Sequence, residues 1–375
     1  MISVFADQYL YQIDHFLPDQ VELYLFDPAN GLPSELSKAH ALLIRTVNSI
    51  NEKSLADIPD NLSFIGTGSS GTDHVDQEYL RENDIVFADA AGCNARSVAE
   101  YVAASLLIWS DNTGHSLHEF SVGIIGMGHV GRQVNTLLQK LGITTFGYDP
   151  PRAEREADFN SVELDMILKA DILSFHTPLN HGGNYPTFHW LNSDKLKGRA
   201  FDLIINTARG GVVDEKALIE AHKKGTIHHY ILDVWENEPQ LKLETARQSY
   251  IKTPHIAGYS VQAKRNASKF IADELIRHFD LPSAKNTDVP SPRTITDTIE
   301  SFSGIEQLIT YLHPIRQYEE KLHRILQNNQ DNRGELFNKL RAEFPLRQEF
   351  NNIRLPEAYF NHYPLLKKLG FQSLD

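Results

Sequence analysis

Hydrophobic residues in this chain cluster in short apolar runs, and the stretches between them carry apolar residues at helical spacing. In the first hundred residues, runs with the length and β-branched content of buried strands lie at 2–6, 41–47, 62–66 and 85–88. A second series is more regular, with runs at 120–125, 144–148, 172–176, 203–206 and 230–234. Continuous apolar runs are typical of parallel strands buried on both faces. The pattern predicts a parallel α/β unit followed by a doubly wound parallel sheet.

Helical stretches separate these runs and continue into the C-terminal part of the chain. Residues 94–109 contain neither glycine nor proline and are predicted to form a long helix. The helix after the run at 120–125 carries one apolar stripe, formed by Val130, Val134, Leu137, Leu138 and Leu141. Near the C-terminus we expect amphipathic helices at about 305–326 and 334–344.

The length of the chain and one local change in its composition indicate how it is divided into domains. With 375 residues, two or three domains are expected. Residues 282–292 mix prolines with small polar residues, which is typical of a linker or a wrapping arm. A domain boundary is therefore expected after about residue 281.

Composition excludes several classes of protein. Lysine and arginine number 36 against 49 acidic residues, and the net charge of −13 opposes binding to nucleic acid or to an anionic membrane surface. No apolar run approaches the roughly 20 residues of a membrane-spanning helix. Cys93 is the only cysteine, so neither an internal disulfide nor a thiolate metal cluster is expected. We expect a cytoplasmic protein with no metal, no nucleic-acid partner and no membrane partner.

A glycine-rich turn follows the run at 120–125. Gly126, Gly128 and Gly131 have the Gly-x-Gly-x-x-Gly spacing between a predicted strand and an amphipathic helix, the context that binds a dinucleotide. The first glycine permits the turn, the second lets the backbone approach a pyrophosphate, and the third lets the helix pack closely on the strand. Asp149 ends the next strand, 23 residues after Gly126, where an acidic residue binds ribose hydroxyls and repels a 2′-phosphate. The sequence predicts NAD as cofactor; a purely structural glycine turn is the alternative.

A single arginine follows another predicted strand end. Arg209 lies three residues after the run at 203–206, at the edge where an open α/β sheet presents its ligand crevice. A guanidinium can hold a carboxylate through two parallel hydrogen bonds, as binding of a 2-hydroxy or 2-oxo acid requires. A surface salt bridge is the alternative for this residue taken alone.

An acid and an imidazole follow the next strand ends. Glu238 comes after the run at 230–234, and His255 follows it by 17 residues. Removal of a hydroxyl proton needs a base that titrates near neutral pH, which histidine supplies, and a neighbouring carboxylate orients it. The chain has 17 histidines, so His255 is singled out by its neighbours in sequence and not by its type.

These segments together resemble the D-isomer-specific 2-hydroxyacid dehydrogenase family. The resemblance rests on the glycine turn and on the segments at 206–211, 233–239 and 253–258. It implies that Arg209 binds the substrate carboxylate, Glu238 orients His255, and His255 exchanges the proton. It further implies cofactor contacts by the glycine turn and by Asp149, Thr177, Thr207, Ala208, Arg209, Asp233 and Gly258, and substrate contacts by Arg45, Thr46, Ser69 and Tyr259.

The family architecture implies three domains. These are a discontinuous, flavodoxin-like substrate domain at 1–96 and 256–281, a Rossmann-type NAD-binding domain at 97–255, and a smaller C-terminal dimerisation domain at 286–375. A homodimer is the oligomeric state that this architecture implies. Arg347, in the C-terminal domain, is a candidate to approach the active site of the neighbouring subunit.

Further segments narrow the resemblance to those family members that act on 4-phospho-D-erythronate. They lie at 66–76, 91–95, 148–152, 255–260 and 344–350. The expected reaction is NAD-dependent oxidation of that acid to 2-oxo-3-hydroxy-4-phosphobutanoate in the biosynthesis of pyridoxal phosphate (vitamin B6). Two alternatives stay open: reduction of glyoxylate or hydroxypyruvate or oxidation of 3-phosphoglycerate, and an NAD-sensing protein that resembles a corepressor.

Overall fold

The computed structural model describes residues 1–284, 290–327 and 331–374. By its internal contacts the chain divides into two units, Met1–Asn94 with Ser260–Ser291, and Ala95–Tyr259 with Pro292–Asp375. The C-terminal segment thus groups with the second unit. Residues 285–289, within the predicted linker at 282–292 and at the predicted domain boundary at 286, lie outside the described residues. The three-domain division stays a prediction.

The strands in the described residues are β1 Ile2–Asp7, β2 Val21–Phe26, β3 Ala41–Ile44, β4 Phe64–Thr67, β5 Val86–Asp89, β6 Ser121–Ile125, β7 Thr144–Tyr148, β8 Ile172–Phe175, β9 Phe201–Asn206, β10 Ile227–Leu232, β11 Ile251–Lys252, β12 Arg293–Thr294, β13 Ile353–Leu355 and β14 Gln372–Ser373. Every run predicted as a strand overlaps one of them. The run at 41–47 is shorter than predicted, because β3 ends at Ile44.

The α-helices in the same residues are α1 Gln77–Glu82, α2 Ala95–Thr113, α3 His129–Leu141, α4 Pro150–Arg155, α5 Leu164–Ile167, α6 Ser193–Leu196, α7 Glu215–Lys223, α8 Leu243–Gln248, α9 Val261–His278, α10 Ile305–Leu312, α11 Ile315–Gln327, α12 Arg333–Ala342, α13 Glu357–His362 and α14 Leu365–Leu369. Among the described residues, no helix combines the length and the apolar character that crossing a membrane requires.

The first unit contains a parallel five-stranded sheet with the order β2-β1-β3-β4-β5. Its central strands β3 and β4 are buried throughout, which explains their continuous apolar sequence. One apolar cluster contains Leu43 and Phe64 together with Ile271 of α9, and another contains Leu42 and Ile65. Both faces of this sheet are therefore covered.

The second unit contains a parallel six-stranded sheet with the order β11-β10-β9-β8-β6-β7. The chain passes from the edge strand β7 across β6 to β8, so the strand order reverses beside β6. Ligands of open α/β sheets bind at such a reversal, outside the carboxyl ends of the strands. The predicted fold class, doubly wound parallel α/β, is confirmed.

The C-terminal segment adds helices and a small parallel sheet with the order β12-β13-β14. The single helix expected near 305–326 is wrong: α10 ends at Leu312 and α11 begins at Ile315. Pro314 lies between them, and proline lacks the N–H that a continuous helix would use. Arg347, considered above as a residue for a neighbouring active site, is 5% exposed and pairs with Glu100 at 2.6 Å in its own chain.

Candidate active site

The glycine turn after β6 is as tight as its sequence predicts. Gly126 has φ of 89°, a left-handed conformation, and a Cβ there would lie 2.7 Å from the carbonyl oxygen of His176. A Cβ on Gly131 would lie 1.9 Å from the carbonyl oxygen of Gly126, so α3 packs against the turn at a distance that excludes any side chain. Gly128 is exposed, and a Cβ there would meet open space. The turn therefore leaves one bare backbone position facing outward.

The surroundings of this turn fit NAD. Gly128 is the N-cap of the 13-residue helix α3 and has no side chain with which to cap it. The N–H groups and positive dipole end of a helix N-terminus suit a pyrophosphate. Asp149 accepts hydrogen bonds from the N–H groups of Met127 at 2.8 Å and Arg152 at 3.1 Å. Within the described part of the chain, the buried Thr177 Oγ1 has no hydrogen-bond partner. The Thr177 side chain lies against Gly126 of the turn, and a buried hydroxyl without a partner there suits a polar ligand.

The loop after β9 holds Thr207, Ala208 and Arg209 in a defined shape. The Asn206 side chain donates to the Arg209 carbonyl at 2.9 Å and accepts from the Ala208 N–H at 3.0 Å. The Arg209 Nη1 donates to the carbonyl of Ala208 at 2.8 Å. Arg209 is half-buried, and these hydrogen bonds fix the shape of the loop that carries its guanidinium.

The neighbouring strand, β10, leads into a second loop that lies directly against the first. A Cβ on Gly210 would lie 1.9 Å from the carbonyl oxygen of Trp235, so backbone touches backbone where the loops meet. Only glycine fits there without moving one of the loops.

Asp233, at the start of this second loop, is 1% exposed and bonded entirely within the protein. It accepts hydrogen bonds from the Thr253 hydroxyl at 2.6 Å and from the N–H groups of Ile256 at 2.8 Å and Ala257 at 2.9 Å. Burial raises the pKa of Asp233 although these donors and the charge of His255 oppose the rise. The carboxylate thus shapes the turn that follows His255, and a direct contact of Asp233 with the cofactor stays a prediction.

The structure brings Glu238 and His255 together. His255 Nδ1 donates to Glu238 Oε2 at 2.9 Å, and Glu238 Oε1 accepts the N–H of Trp235 at 2.8 Å. His255 has φ of 58°, which costs a side-chain-bearing residue about 1–3 kcal/mol and persists only where surrounding bonds hold it. The hydrogen bonds of Asp233 to the two following residues supply that restraint.

Electrostatics keep the Glu238 carboxylate charged. Desolvation pushes the pKa of Glu238 upward, but the charge and hydrogen bond of His255, the N–H of Trp235 and the charge of Arg341 together hold that pKa below its usual value. With Nδ1 of His255 bonded to an anion, Nε2 is the nitrogen left to exchange a proton with a substrate.

Three of the residues predicted to touch substrate belong to the first unit. Arg45 and Thr46 follow β3, Ser69 follows β4, and the Gly68 N–H donates to the Ile44 carbonyl at 2.9 Å, so both strand ends meet at one edge of the sheet. Arg45 Nε lies 2.8 Å from Asp7, a fully buried carboxylate, which neutralises part of its charge. Thr46 is exposed and Ser69 is half-buried. Their roles stay predictions.

Two histidines contribute to the site without having been assigned a role in it. His176 Nε2 forms a hydrogen bond with Ser174 Oγ at 2.9 Å. Desolvation lowers the pKa of His176 to about 3, so its ring is neutral at physiological pH. The His189 N–H donates to the Gly211 carbonyl at 2.7 Å, and its Nε2 lies 2.9 Å from Glu236. His189 thereby joins the Arg209 loop to the Glu238 loop, a link between distant segments that spacing does not signal.

Comparisons with known proteins agree with this geometry. Residues 95–257 match the family model of the D-isomer specific 2-hydroxyacid dehydrogenase, NAD binding domain. Erythronate-4-phosphate dehydrogenases from Escherichia coli and Escherichia fergusonii are each 37% identical to this chain, over 363 and 362 residues, which is 92% of this chain and 92% of each relative.

Solved structures share the fold. A D-lactate dehydrogenase from Aquifex aeolicus, complexed with NAD and lactic acid, has a TM-score of 0.58 at 24% identity and covers 74% of this chain and 95% of its own. An NADPH-dependent glyoxylate/hydroxypyruvate reductase from Sinorhizobium meliloti has a TM-score of 0.61 at 22% identity, and the match covers 76% of this chain and 97% of the reductase. This chain belongs to the D-isomer-specific 2-hydroxyacid dehydrogenase family, and residues 95–257 are its NAD binding domain.

Proposed function

We propose that this chain oxidises carbon 2 of 4-phospho-D-erythronate with NAD, giving 2-oxo-3-hydroxy-4-phosphobutanoate for the biosynthesis of pyridoxal phosphate. The observation that carries the proposal is the 2.9 Å hydrogen bond between His255 Nδ1 and Glu238 Oε2 in the same unit as the glycine turn. The 37% identity to relatives named erythronate-4-phosphate dehydrogenase, along 92% of their length, supports the choice of substrate.

The residues of the chain divide the chemistry between them. NAD, when bound, supplies the acceptor for the hydride that leaves carbon 2. His255 takes the hydroxyl proton at Nε2, and the Glu238 carboxylate stabilises the imidazolium that forms. Arg209 pairs with the substrate carboxylate and fixes its plane. Asp149 favours NAD over NADP, because a 2′-phosphate beside a carboxylate is repelled.

We place the phosphate-bearing end of the substrate at the residues of the first unit. Arg45, Thr46 and Ser69 offer one cation and two hydroxyl groups at one sheet edge of the first unit. A phosphate needs several donors, since it carries close to two negative charges at neutral pH. The proposed location is the cytoplasm, where a single buried thiol stays reduced.

The proposal is tested by assaying the purified full chain with a panel of acids. Nicotinamide absorbance is followed with NAD and 4-phospho-D-erythronate. Formation of the 2-oxo product is measured with a 2-oxo acid added as co-acceptor, which covers the case in which the cofactor stays bound between turnovers. Glyoxylate and hydroxypyruvate, each with NADH, and 3-phosphoglycerate with NAD complete the panel. Turnover of the unphosphorylated acids without 4-phospho-D-erythronate would refute the proposed substrate.

A variant pair tests the role of His255. His255→Ala is expected to remove turnover while NAD binding stays nearly intact, because the imidazole exchanges a proton and does not hold the cofactor. His15→Ala is the matched control, since His15 is 48% exposed and lies in the other unit. NAD binding without turnover by wild-type protein would favour the sensing protein instead. Loss of NAD binding in His255→Ala would show that the residue has another role.

The oligomeric state is proposed separately. We infer a homodimer formed through the C-terminal segment 286–375, in which Tyr311 and Leu374 are exposed large hydrophobic residues. Sedimentation of the full chain at several concentrations measures the mass directly. A monomer at all concentrations would contradict this inference and would leave the proposed reaction unaffected.

A further inference from the structure

The hydroxyl of Tyr101 begins a buried chain of hydrogen bonds that leads to the turn at His255. Tyr101 lies on α2 and is fully buried, and its hydroxyl is 2.6 Å from the hydroxyl of Thr253. The Thr253 hydroxyl donates in turn to Asp233 Oδ1 at 2.6 Å. Because a threonine hydroxyl has a single proton, and this one goes to Asp233, Tyr101 is the donor to Thr253. Both hydroxyl protons are therefore directed along the chain towards the Asp233 carboxylate.

The Asp233 carboxylate carries this chain to the backbone that follows His255. Its Oδ1 also accepts the N–H of Ile256 at 2.8 Å, and its Oδ2 accepts the N–H of Ala257 at 2.9 Å. His255 has φ of 58°, a conformation that persists only where surrounding bonds hold it. Asp233 is 1% exposed, so water does not replace a donor that it loses. The Thr253 hydroxyl thus helps to hold the carboxylate on which the backbone of His255 depends.

A second branch leads from Thr253 to the other member of the candidate catalytic pair. The Thr253 carbonyl accepts the indole N–H of Trp235 at 3.0 Å. The main-chain N–H of Trp235 donates to Glu238 Oε1 at 2.8 Å, and Glu238 Oε2 accepts from His255 Nδ1 at 2.9 Å. Thr253 is therefore linked to both members of the pair, through one intermediate residue on each side.

Packing leaves the Tyr101 ring little room to move away from Thr253. The ring belongs to the apolar cluster that also contains Ile231 and Ile251 of the neighbouring strands. His313, which is fully buried, meets the ring of Tyr101 edge-on, with the ring centres 5.7 Å apart. All of these residues belong to the second unit. The tyrosine hydroxyl is thus presented to Thr253 from a packed core.

We propose that Tyr101 and Thr253 are positioning residues of the dehydrogenase site, because their linked hydroxyls hold the carboxylate of Asp233 in place. Asp233 then keeps the backbone of His255 in the conformation that lets its imidazole meet Glu238. The inference rests on the proposed function, because this pair exchanges a proton with a substrate only if the chain has that activity. The imidazole acts in the chemical step, so the two hydroxyls should affect kcat and not the binding of substrate or NAD.

Substitutions at Thr253 separate its hydroxyl from the rest of the side chain. Thr253→Val keeps the shape of the side chain and removes the donor to Asp233, whereas Thr253→Ser keeps the donor. Loss of a buried hydrogen bond of this kind is worth about a 10- to 100-fold change. Thr253→Val is expected to lower kcat by that factor, with KM and the affinity for NAD unchanged. Thr253→Ser is expected to keep most of the wild-type kcat.

A double-mutant cycle tests whether Tyr101 acts through Thr253. Tyr101→Phe removes only the first hydroxyl of the chain and is expected to lower kcat about 10-fold. The double variant Tyr101→Phe/Thr253→Val should be no worse than Thr253→Val alone, because valine leaves no hydroxyl through which the tyrosine could act.

Tyr359→Phe is the matched control for Tyr101→Phe. Tyr359 is also fully buried, and its hydroxyl donates one hydrogen bond, to the carbonyl of Asp297 at 3.0 Å. Its removal should destabilise the fold to a similar degree and leave kcat unchanged, since no bond leads from it to Asp233. Thermal unfolding of each variant measures the loss of stability.

The outcomes that would overturn the positioning role are distinct. They are an unchanged kcat in Thr253→Val, a Thr253→Ser variant as impaired as Thr253→Val, and additive effects in the cycle. A loss of NAD affinity that parallels the loss of kcat would overturn it too, since Asp233 would then act on the cofactor and not on His255. If Thr253→Val does not fold, the comparison of Tyr101→Phe with Tyr359→Phe decides, and an equal kcat in both variants overturns the proposal.

Failure of the proposed function is recognised separately. Wild-type protein that turns over no acid in the panel would overturn that function first, and this inference with it. All variants are assayed on whichever acid the wild-type protein turns over, so failure of the substrate assignment alone stays distinguishable.

Discussion

Adding one methyl group should destabilise the chain without cofactor at Gly131 and should leave its stability nearly unchanged at Gly128. At Gly131 the new Cβ would lie 1.9 Å from the carbonyl oxygen of Gly126, about 1 Å inside the shortest contact that real Cβ atoms make. Both partners are backbone atoms, so no side-chain rotation relieves the overlap. Overpacking of this kind costs about 1–3 kcal/mol. Gly131→Ala should therefore lower the free energy of unfolding by at least that amount.

Gly128→Ala meets no such overlap. The position is exposed, its φ is −70°, and a Cβ there would have open space around it. Replacing glycine where the backbone suits alanine stabilises a protein by about 0.4–1 kcal/mol through the entropy of the unfolded chain. Alanine is less favourable than glycine at an N-cap, which offsets this gain, so Gly128→Ala should leave the free energy of unfolding nearly unchanged. If a pyrophosphate approaches the bare backbone at Gly128, the methyl group displaces it. A cost of about 1–3 kcal/mol would weaken NAD binding about 5- to 150-fold.

The assay combines urea unfolding without cofactor and titration of NAD by calorimetry for both variants. Gly182→Ala is the control, because a Cβ at Gly182 also meets open space and the residue lies outside the glycine turn. The reasoning is refuted if Gly128→Ala binds NAD as tightly as wild-type protein. The packing argument is refuted if Gly131→Ala and the wild-type protein unfold at the same urea concentration.

Further predictions concern the loops and the buried charges. Gly210→Ala forces a Cβ to within 1.9 Å of the Trp235 carbonyl oxygen, and displacement of the two site loops by about 1 Å should lower kcat/KM about 100-fold, measured beside the melting temperature. Burial raises the pKa of Glu215 to about 7, so the folded chain keeps a proton that the unfolded chain loses near pH 4.5, and stability falls as pH rises across that window. Glu215→Gln should remove about 3 kcal/mol of this loss. The loss is measured as the difference between the free energies of unfolding in urea at pH 4.5 and at pH 8. An equal pH dependence of stability in variant and wild type would contradict the assignment. Arg347→Met leaves the buried Glu100 carboxylate without its 2.6 Å partner and should cost about 3 kcal/mol of unfolding free energy, whereas an unchanged value would show that Arg96 alone satisfies Glu100.

Much of the fold could be predicted because its strands are buried on both faces. Strands such as β3, β4 and β8 are buried throughout, and burial on both sides requires the continuous apolar runs that mark them in the sequence. The sequence analysis does not predict the edge strand β2: it lies at one side of its sheet, Glu22 interrupts its apolar run, and none of its residues is fully buried. The break between α10 and α11 was missed although Pro314 signals it.

Part of the candidate site could also be predicted from the sequence, and part could not. Glu238 and His255 could be brought together from the sequence, because parallel strands end at one edge of a sheet and both residues follow strand ends. The hydrogen bonds of Asp233 could not be predicted from the sequence. Nothing in the neighbouring residues distinguishes a carboxylate that accepts main-chain N–H groups from one that contacts a ligand. Nor does the sequence indicate that Arg341 lies near Glu238 and Tyr259. The pattern of its helix marks buried positions such as Phe337 and Leu340, and Tyr259 lies 82 residues before it.

The net charge of the chain and the charge at the site are separate quantities, and the second one decides whether an anionic substrate can bind. At physiological ionic strength exposed charges are screened over about 8 Å, so most of the acidic surface that gives −13 contributes little at the site. The positive groups of the candidate site in the second unit are the N-terminus of α3, the guanidinium of Arg209, and the guanidinium of Arg341, whose charge lowers the pKa of Glu238. The C-terminal segment therefore contributes positive charge beside Glu238, and an acidic chain of this kind can bind a phosphorylated acid without a basic surface.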